Sequence, residues 1–560
     1  MRGTRRKGRS RRQQTPPTVD RCVARSALRR SRARPVIAGV AGVGALWWLC
    51  FTTTPVDATS VSQGSLGNHG LSVKRSSLHW SDPRILARCG LVSGPQVAFP
   101  SESPATPTGV GAIVWASEPI SCGPSSPPSA SWTVSVAALG AAGHATLATT
   151  QPLGKRFGGD LAAVGASFGR IAITAAATTH GSPESANVVI QGRAIDPSRW
   201  PSMMVESDPA TALTRAYLGD VAIAATAPGP AIAVRVERYF DRDFGQARRV
   251  PIAAGPVTAL TATMDYRADV LLAWQQNGAI YARMLRVSGA ADSTQRVGPS
   301  GPHPQLQAVV SDNGHGMIAW SSTEIQKRAT ARTRIYLDLS QSGVRFGQPR
   351  QIASFADPQQ VGHMPGSLAI ERLSTENVML AWTADEHGHY VVRAAPAVFA
   401  ASRPTARLSD PHAQAILVDL APGPTGEAIA LWRSAPRLAG GTLDARHVEL
   451  WAARTSIRPP AHVVLRRPAM IAPAGPNFAP TVAVDPATDQ AVAAWFTGTA
   501  PRRIEYAVAT GAAGYRPRLK AATAPPPAAG AHWLRIALAV AGLVGVAILF
   551  AATGRRRRMA

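Results

Sequence analysis

Two short stretches hold residue types that bind cations. Asp241-Arg242-Asp243-Phe244-Gly245 has the D-x-D-x-G opening of a calcium loop, in which alternate carboxylates converge on one ion. However, Phe244-Gly245-Gln246 recurs as Phe346-Gly347-Gln348 with no aspartates before it, so Asp241 and Asp243 read as decoration of a turn. Asp385-Glu386-His387-Gly388-His389 gathers four potential ligands in five residues. A zinc site needs three or four convergent ligands, usually set by helical or finger spacing, and neither spacing is present around Asp385, His387 and His389. Placed just after Trp382, this stretch reads as a hairpin turn. The sequence has no G-x-S-x-G elbow, Walker loop or H-E-x-x-H. A carboxylate pair for glycoside cleavage would have to be assembled from distant segments and cannot be assigned. No catalytic residue, cofactor or metal is assigned from sequence.

The elements that must position any site repeat along the chain. Residues 269–284, DVLLAWQQNGAIYARM, hold an alternating run ending on Trp274, a turn at Asn277-Gly278 and a second alternating run. This is the pattern of a β-hairpin. Related strands end on Trp115, Trp320, Trp382, Trp432 and Trp495, and Trp-less copies end on Ala175 and Ala225. The eight markers are 60, 50, 49, 46, 62, 50 and 63 residues apart. Another apolar run precedes each marker, a partner strand follows, and a fourth element carries Phe-Gly-Gln in two units. A repeat of this length built only from short strands predicts an all-β propeller of four-stranded antiparallel blades. Eight blades are favoured, with seven the alternative if a weak unit is miscounted. At the ends of repeated apolar strands the tryptophans read as inter-blade packing, with a carbohydrate-stacking surface as the sharper alternative.

The stretch PTVAVDPATDQAVAAW, the RIEYAVA that follows it and the FGQPRQI element resemble repeats of bacterial exported propeller proteins related to the sialidase-like and BNR-type superfamily. The resemblance spans residues 95–520 and implies a fold. The activities of that group do not carry over. A sialidase Asp-box has its Trp closer than Trp320 stands to Ser311-Asp312-Asn313-Gly314. The tryptophan-docking motif of quinoprotein propellers is met by Ala483, Asp485 and Thr488, but Asp489 replaces its Gly and Trp495 lies too far.

Charge and hydropathy describe the ends. The net charge is +26, yet residues 1–34 hold thirteen basic residues against one acid, and Arg555–Arg558 are four more. The rest carries 42 basic and 32 acidic residues, a net of +10, with no recognition motif, so nucleic acid is not an expected partner. Residues 1–58 read as a basic arm and signal sequence, or signal anchor, around the apolar run Val36–Cys50. Residues 59–94 read as a flexible lead-in, 521–532 as a Pro/Ala stalk, 533–553 as a transmembrane helix and 554–560 as a basic cytoplasmic tail. Cys89 and Cys122 are expected to form a disulfide if the body is exported. These readings predict a single-pass cell-membrane protein with an extracytoplasmic body and a cytoplasmic C-terminus. Its expected role is recognition or scaffolding of a protein or glycan partner, with a sialidase-like surface glycan hydrolase or lyase as the alternative.

Overall fold

The computed structural model describes residues 78–509, apart from residues 89–91, 101–110, 118–131, 141–142, 155, 167–169, 179–184, 194–210, 216–218, 228, 239–244, 290–291, 312–313, 326–330, 341–344, 375–376, 400–404, 437, 439–442, 459–461 and 499–501. The chain divides into two units, Met1–Val73 and Lys74–Ala560, and every described residue belongs to the second. The segments expected to be the signal sequence (1–58), the stalk (521–532), the transmembrane helix (533–553) and the cytoplasmic tail (554–560) lie outside the described residues. Among the described residues no helix is long and apolar enough to cross a membrane.

Strand formation follows the alternating runs. β1 (Arg84–Arg88) pairs far along the chain, as given below. β2 (Val92–Ala98), β3 (Gly111–Ser117), β4 (Trp132–Leu139) and β5 (Ala145–Gly154) form one antiparallel sheet. β6 (Arg156–Gly165), β7 (Arg170–Thr178) and β8 (Ser185–Arg193) form the next. β9 (Thr211–Arg215), β10 (Val221–Ala227), β11 (Ala231–Glu237) and β12 (Arg248–Pro251) form a third. β13 (Val257–Met264), β14 (Val270–Gln276), β15 (Ala279–Leu285) and β16 (Gln295–Pro299) follow. Then come β17 (Leu306–Val310), β18 (Gly316–Ile325), β19 (Ala331–Ser340) and β20 (Arg350–Ala356). β21 (Leu368–Arg372), β22 (Val378–Glu386), β23 (His389–Pro396) and β24 (Ala406–Arg407) make the sixth sheet. In the seventh, β25 (Ala415–Pro422), β26 (Glu427–Ser434) and β27 (Val448–Arg458) are followed by β28 (His462–Leu465) and β29 (Ala469–Gly475), which share the outer edge of β27.

The last sheet draws on both ends of the described chain. β30 (Asn477–Val484), β31 (Ala491–Thr497) and β32 (Arg503–Ala509) are completed by β1, with Arg84 opposite Tyr506 and Arg88 opposite Arg503. Trp80 bridges to Ala509, and the Ser81 N–H donates to Val508 O at 2.8 Å. This corrects the expected lead-in over residues 59–94, which from Leu78 onward contains chain belonging to the sheets. The last sheet thus takes its fourth strand from the start of the described chain. The closing pairing is between segments more than 400 residues apart, which a local pattern cannot reveal.

The fold is all-β and propeller-like. The first strand of each sheet neighbours the first strand of the next, in the order β2, β6, β9, β13, β17, β21, β25 and β30, and β30 neighbours β2. Each second strand is packed on both faces, which explains its nearly unbroken apolar sequence. On β22, Leu380 and Trp382 pack with Ala319 and Ile335 of the preceding sheet, while Met379 and Ala381 pack with Leu417 and Trp432 of the following one. Trp274, Trp320, Trp382 and Trp495 are among the largest fully buried side chains. Trp274 stacks on its cross-strand partner Tyr281, as Trp320 does on Tyr336. Aromatic pairs of this kind stabilise a sheet by roughly 0.5–1.5 kcal/mol each beyond area burial. Packing accounts for these tryptophans, and none is left for stacking on a ligand.

Candidate site within the ring of first strands

The turn residues that invited a metal reading are engaged otherwise. Residues 241 and 243 lie outside the described residues, as do Cys89 and Cys122. His387 and Gly388 adopt φ values of 54° and 85°, and Glu386 pairs with His389 across the turn between β22 and β23. Asp385 Oδ1 accepts the Gly388 N–H at 2.9 Å, and the His389 ring contacts the Gln414 amide at 3.1 Å. Glu386 is held by Arg393 and Arg407, which pull its carboxyl below the ordinary range against the opposing effect of burial. Among the described residues no group of three or more His, Cys, Asp and Glu could hold a metal ion.

The Asp485-to-Trp495 stretch shows what its departures do. Asp485 closes its turn by accepting the Ala487 N–H at 2.9 Å and the Thr488 hydroxyl at 2.6 Å. Asp489, where the quinoprotein motif has Gly, sits at φ 58° and is fully buried. Asp tolerates that left-handed conformation, and its carboxylate meets Arg454 at 2.6 Å. The substitution exchanges a glycine for a buried ion pair linking β27 to the last sheet.

Charged side chains gather on the first strands themselves, where sequence reasoning had singled out none. Arg215 ends β9, Glu371 lies near the end of β21, and Asp419 lies on β25. Each is half-buried, and burial is the largest influence on its proton affinity. Arg215 Nη1 donates to Phe99 O at 2.9 Å, reaching past the β6 sheet to the end of β2. That carbonyl lies so close to Gly165, the last residue of β6, that a Cβ there would stand 1.6 Å from it. Only glycine permits the approach. Burial lowers the proton affinity of Arg215, and the charge of Glu371 on the other side of the ring partly restores it.

Asp419 follows a β-bulge: Leu417 pairs with Trp432 and Asp419 with Leu431, so Val418 is the extra residue. The bulge turns Asp419 towards the last sheet. Its Oδ2 accepts the Val482 N–H at 2.8 Å and the Thr481 hydroxyl at 3.0 Å, and its Oδ1 accepts its neighbour's N–H, from Leu420, at 2.8 Å. Burial raises its proton affinity while these donors oppose the rise. Glu371 has no hydrogen-bond or ion-pair partner among the described residues. Burial first, and then the charge of Asp419, push its carboxyl up to about 8, against the pull of Arg215 and Arg372. With three donors on Asp419 and none on Glu371, the negative charge is better held on Asp419 and the proton on Glu371.

The cluster therefore offers an arginine with further N–H donors, and a carboxylic acid that both donates and accepts a hydrogen bond at neutral pH. No local pattern marked these residues, because their strands are far apart in sequence. The feature that could have found two of them is the charge itself: Glu371 and Asp419 interrupt the apolar runs LAI and AILV, whereas Arg215 ends the half-polar TALTR.

No family profile matches the sequence, and no curated protein matches it. Among solved structures, the chain is similar to a family 25 polysaccharide lyase, an ulvan lyase, at 11% identity and a TM-score of 0.38, over 71% of this chain and 96% of that one. It is similar to the Trypanosoma rangeli sialidase at 10% identity and 0.33, over 75% and 55%. A fungal lectin, the six-bladed propeller of Aleuria aurantia, overlaps at 11% identity and 0.28, over 55% and 94%. These overlaps are loose, and the fold assignment rests on the strand pairing of this chain alone.

Proposed function

We propose that the chain is a membrane-tethered, extracytoplasmic recognition module: a closed eight-bladed propeller that binds a glycan through Arg215 and Glu371 inside the ring. Eight sheets, the cyclic order of their first strands and the β1–β32 pairing support the blade number and the closure. The apolar run 533–553 and the arginines at 555–558 support the tether, and the basic-then-apolar N-terminus supports export. One observation carries the functional reading: separate first strands bring Arg215 and Glu371, a carboxyl with no hydrogen-bond partner among the described residues, near enough for the charge of each to act on the other. Neutral carboxyl and guanidinium groups together suit a ligand rich in hydroxyl and oxyanion groups, which describes a glycan better than an apolar peptide.

A second reading, a glycan hydrolase or lyase, has a specific observation in its favour. A carboxylic acid that holds its proton at neutral pH is what general acid catalysis requires. Against it, the neighbouring Asp419 has both oxygens occupied by N–H and O–H donors and is not free to act as nucleophile or base. The readings separate on an array of neutral, carboxylated and sulfated polysaccharides probed with the full chain in detergent. Retention with no change in polysaccharide length supports the module, and depolymerisation abolished by E371Q supports the enzyme. Retention confined to peptides or proteins would overturn the glycan assignment. Topology is tested separately: a body left uncut by protease added to intact cells would contradict export.

A further inference from the structure

A second guanidinium, on the second strand of its sheet, has no carboxylate partner among the described residues. Arg433 sits on β26 beside Trp432 and opposite Ile416 of β25. Its one hydrogen-bond partner among the described residues is a sulfur: Nη2 lies 2.9 Å from Met364 Sδ. Its Nε is buried with no acceptor. No carboxylate forms an ion pair with it among the described residues, and burial lowers its affinity for its proton. Arg454, on the adjacent strand β27, shows the usual solution, with Asp489 at 2.6 Å and Glu427 at 3.4 Å.

The chemistry of this contact is unbalanced. A thioether is a weak acceptor with no charge, and enclosing a guanidinium without a counter-charge is unfavourable. Nε and Nη2 form the edge of the guanidinium that binds a carboxylate, sulfate or phosphate side-on through two parallel hydrogen bonds. Here one of those positions is empty of any acceptor and the other is covered by sulfur. Met364 is only partly buried and precedes the exposed Pro365, so its flexible side chain has solvent to move into. The same connection, between β20 and β21, holds two further buried polar atoms without partners, His363 Nε2 and Ser367 Oγ.

We propose that Arg433 is an anion-binding site, at which an oxyanion group of a ligand displaces Met364 Sδ and bonds side-on to Nε and Nη2. The shared ligand chemistry is a terminal oxyanion, either a planar carboxylate or a tetrahedral sulfate or phosphate. The site does not depend on the Arg215 cluster.

The test is thermal melting of the full chain in detergent, titrated with sodium sulfate, sodium phosphate or sodium acetate at ionic strength held constant with chloride. The wild type is expected to show a saturable rise in melting temperature. Sulfate or phosphate outperforming acetate identifies a tetrahedral ligand, and the reverse identifies a carboxylate. R433M is expected to weaken the response by about tenfold or more, the effect of losing a charge-assisted bidentate contact, and M364A is expected to strengthen it by uncovering the edge. R433M without anion is expected to melt at or above the wild type, because it removes a half-buried charge that has no carboxylate partner among the described residues. The proposal is overturned if no added anion gives a saturable rise, or if R433M responds as the wild type does. A drop in the anion-free melting temperature of R433M, with M364A unchanged in its response, would make Arg433 a packing residue and also overturn it.

Discussion

Replacing Glu371 with Gln tests the electrostatics of the ring directly. The carboxyl titrates near its ordinary 4.5 in the unfolded chain and at about 8 in the folded one. Between those values the folded protein keeps a proton that the unfolded chain has released, so stability falls as pH rises through the window. The penalty is absent below pH 4.5 and complete above about 8. At about 1.4 kcal/mol per pH unit, the interval sets a ceiling of about 5 kcal/mol. Water reaching the open side of Glu371 screens part of this, leaving about 2–3 kcal/mol. Gln keeps the size and a hydrogen-bonding amide and carries no proton, so E371Q should escape the penalty. Melting temperatures of wild type and E371Q, measured across pH 4–9, should coincide at the acid end and diverge steadily, with the variant several degrees higher at the alkaline end. E324Q, at a side chain 50% exposed, serves as the control and should follow the wild type apart from a small constant offset. An E371Q curve parallel to the wild type, or one whose gain is largest at acid pH, refutes the half-buried placement of Glu371 beside Asp419.

Three further substitutions probe the framework. D489A leaves the buried guanidinium of Arg454 with only the longer Glu427 carboxylate contact at 3.4 Å among the described residues and should cost about 3 kcal/mol in denaturant unfolding, with the double change D489A/R454M recovering part of the loss. Y390F removes the O–H that donates to the fully buried Asp357 at 3.0 Å, and should cost about 1.5–3 kcal/mol because the acceptor is charged. Asp357 would retain Thr333, Val361 and Gly362 as donors, so Y390F should still fold. G366A places a Cβ 1.9 Å from Val418 O at a residue with φ 79°, and should lower stability by about 3 kcal/mol or more, seen as faster proteolysis between β20 and β25.

Much of the architecture was legible because each unit solves the same local problem. The Asn277-Gly278 turn takes φ values of 51° and 72°, as a two-residue hairpin requires, and the run before it is buried throughout. Alternation plus a terminal Trp thus identified the second and third strands in unit after unit. The closing strand was not legible, because RILAR at residues 84–88 gains its partner only when the far end of the chain returns to it. The candidate site was hidden for the same reason. Glu371 and Arg215 belong to strands more than 150 residues apart, and nothing in either local pattern refers to the other. The stretches that did attract attention at residues 385–389 and 485–489 use their polar groups to shape turns and an ion pair.

We propose that a ligand is held by Arg215 inside the ring of first strands. It is tested most directly by measuring the affinity of the wild type and R215M for the best polysaccharide from the array, with melting curves taken on the same samples. Arg215 gives one hydrogen bond to Phe99 O and leaves its other donors for the ligand, so R215M should bind about tenfold or more weakly while remaining folded. Equal affinity in the two proteins, with both folded, would contradict the account.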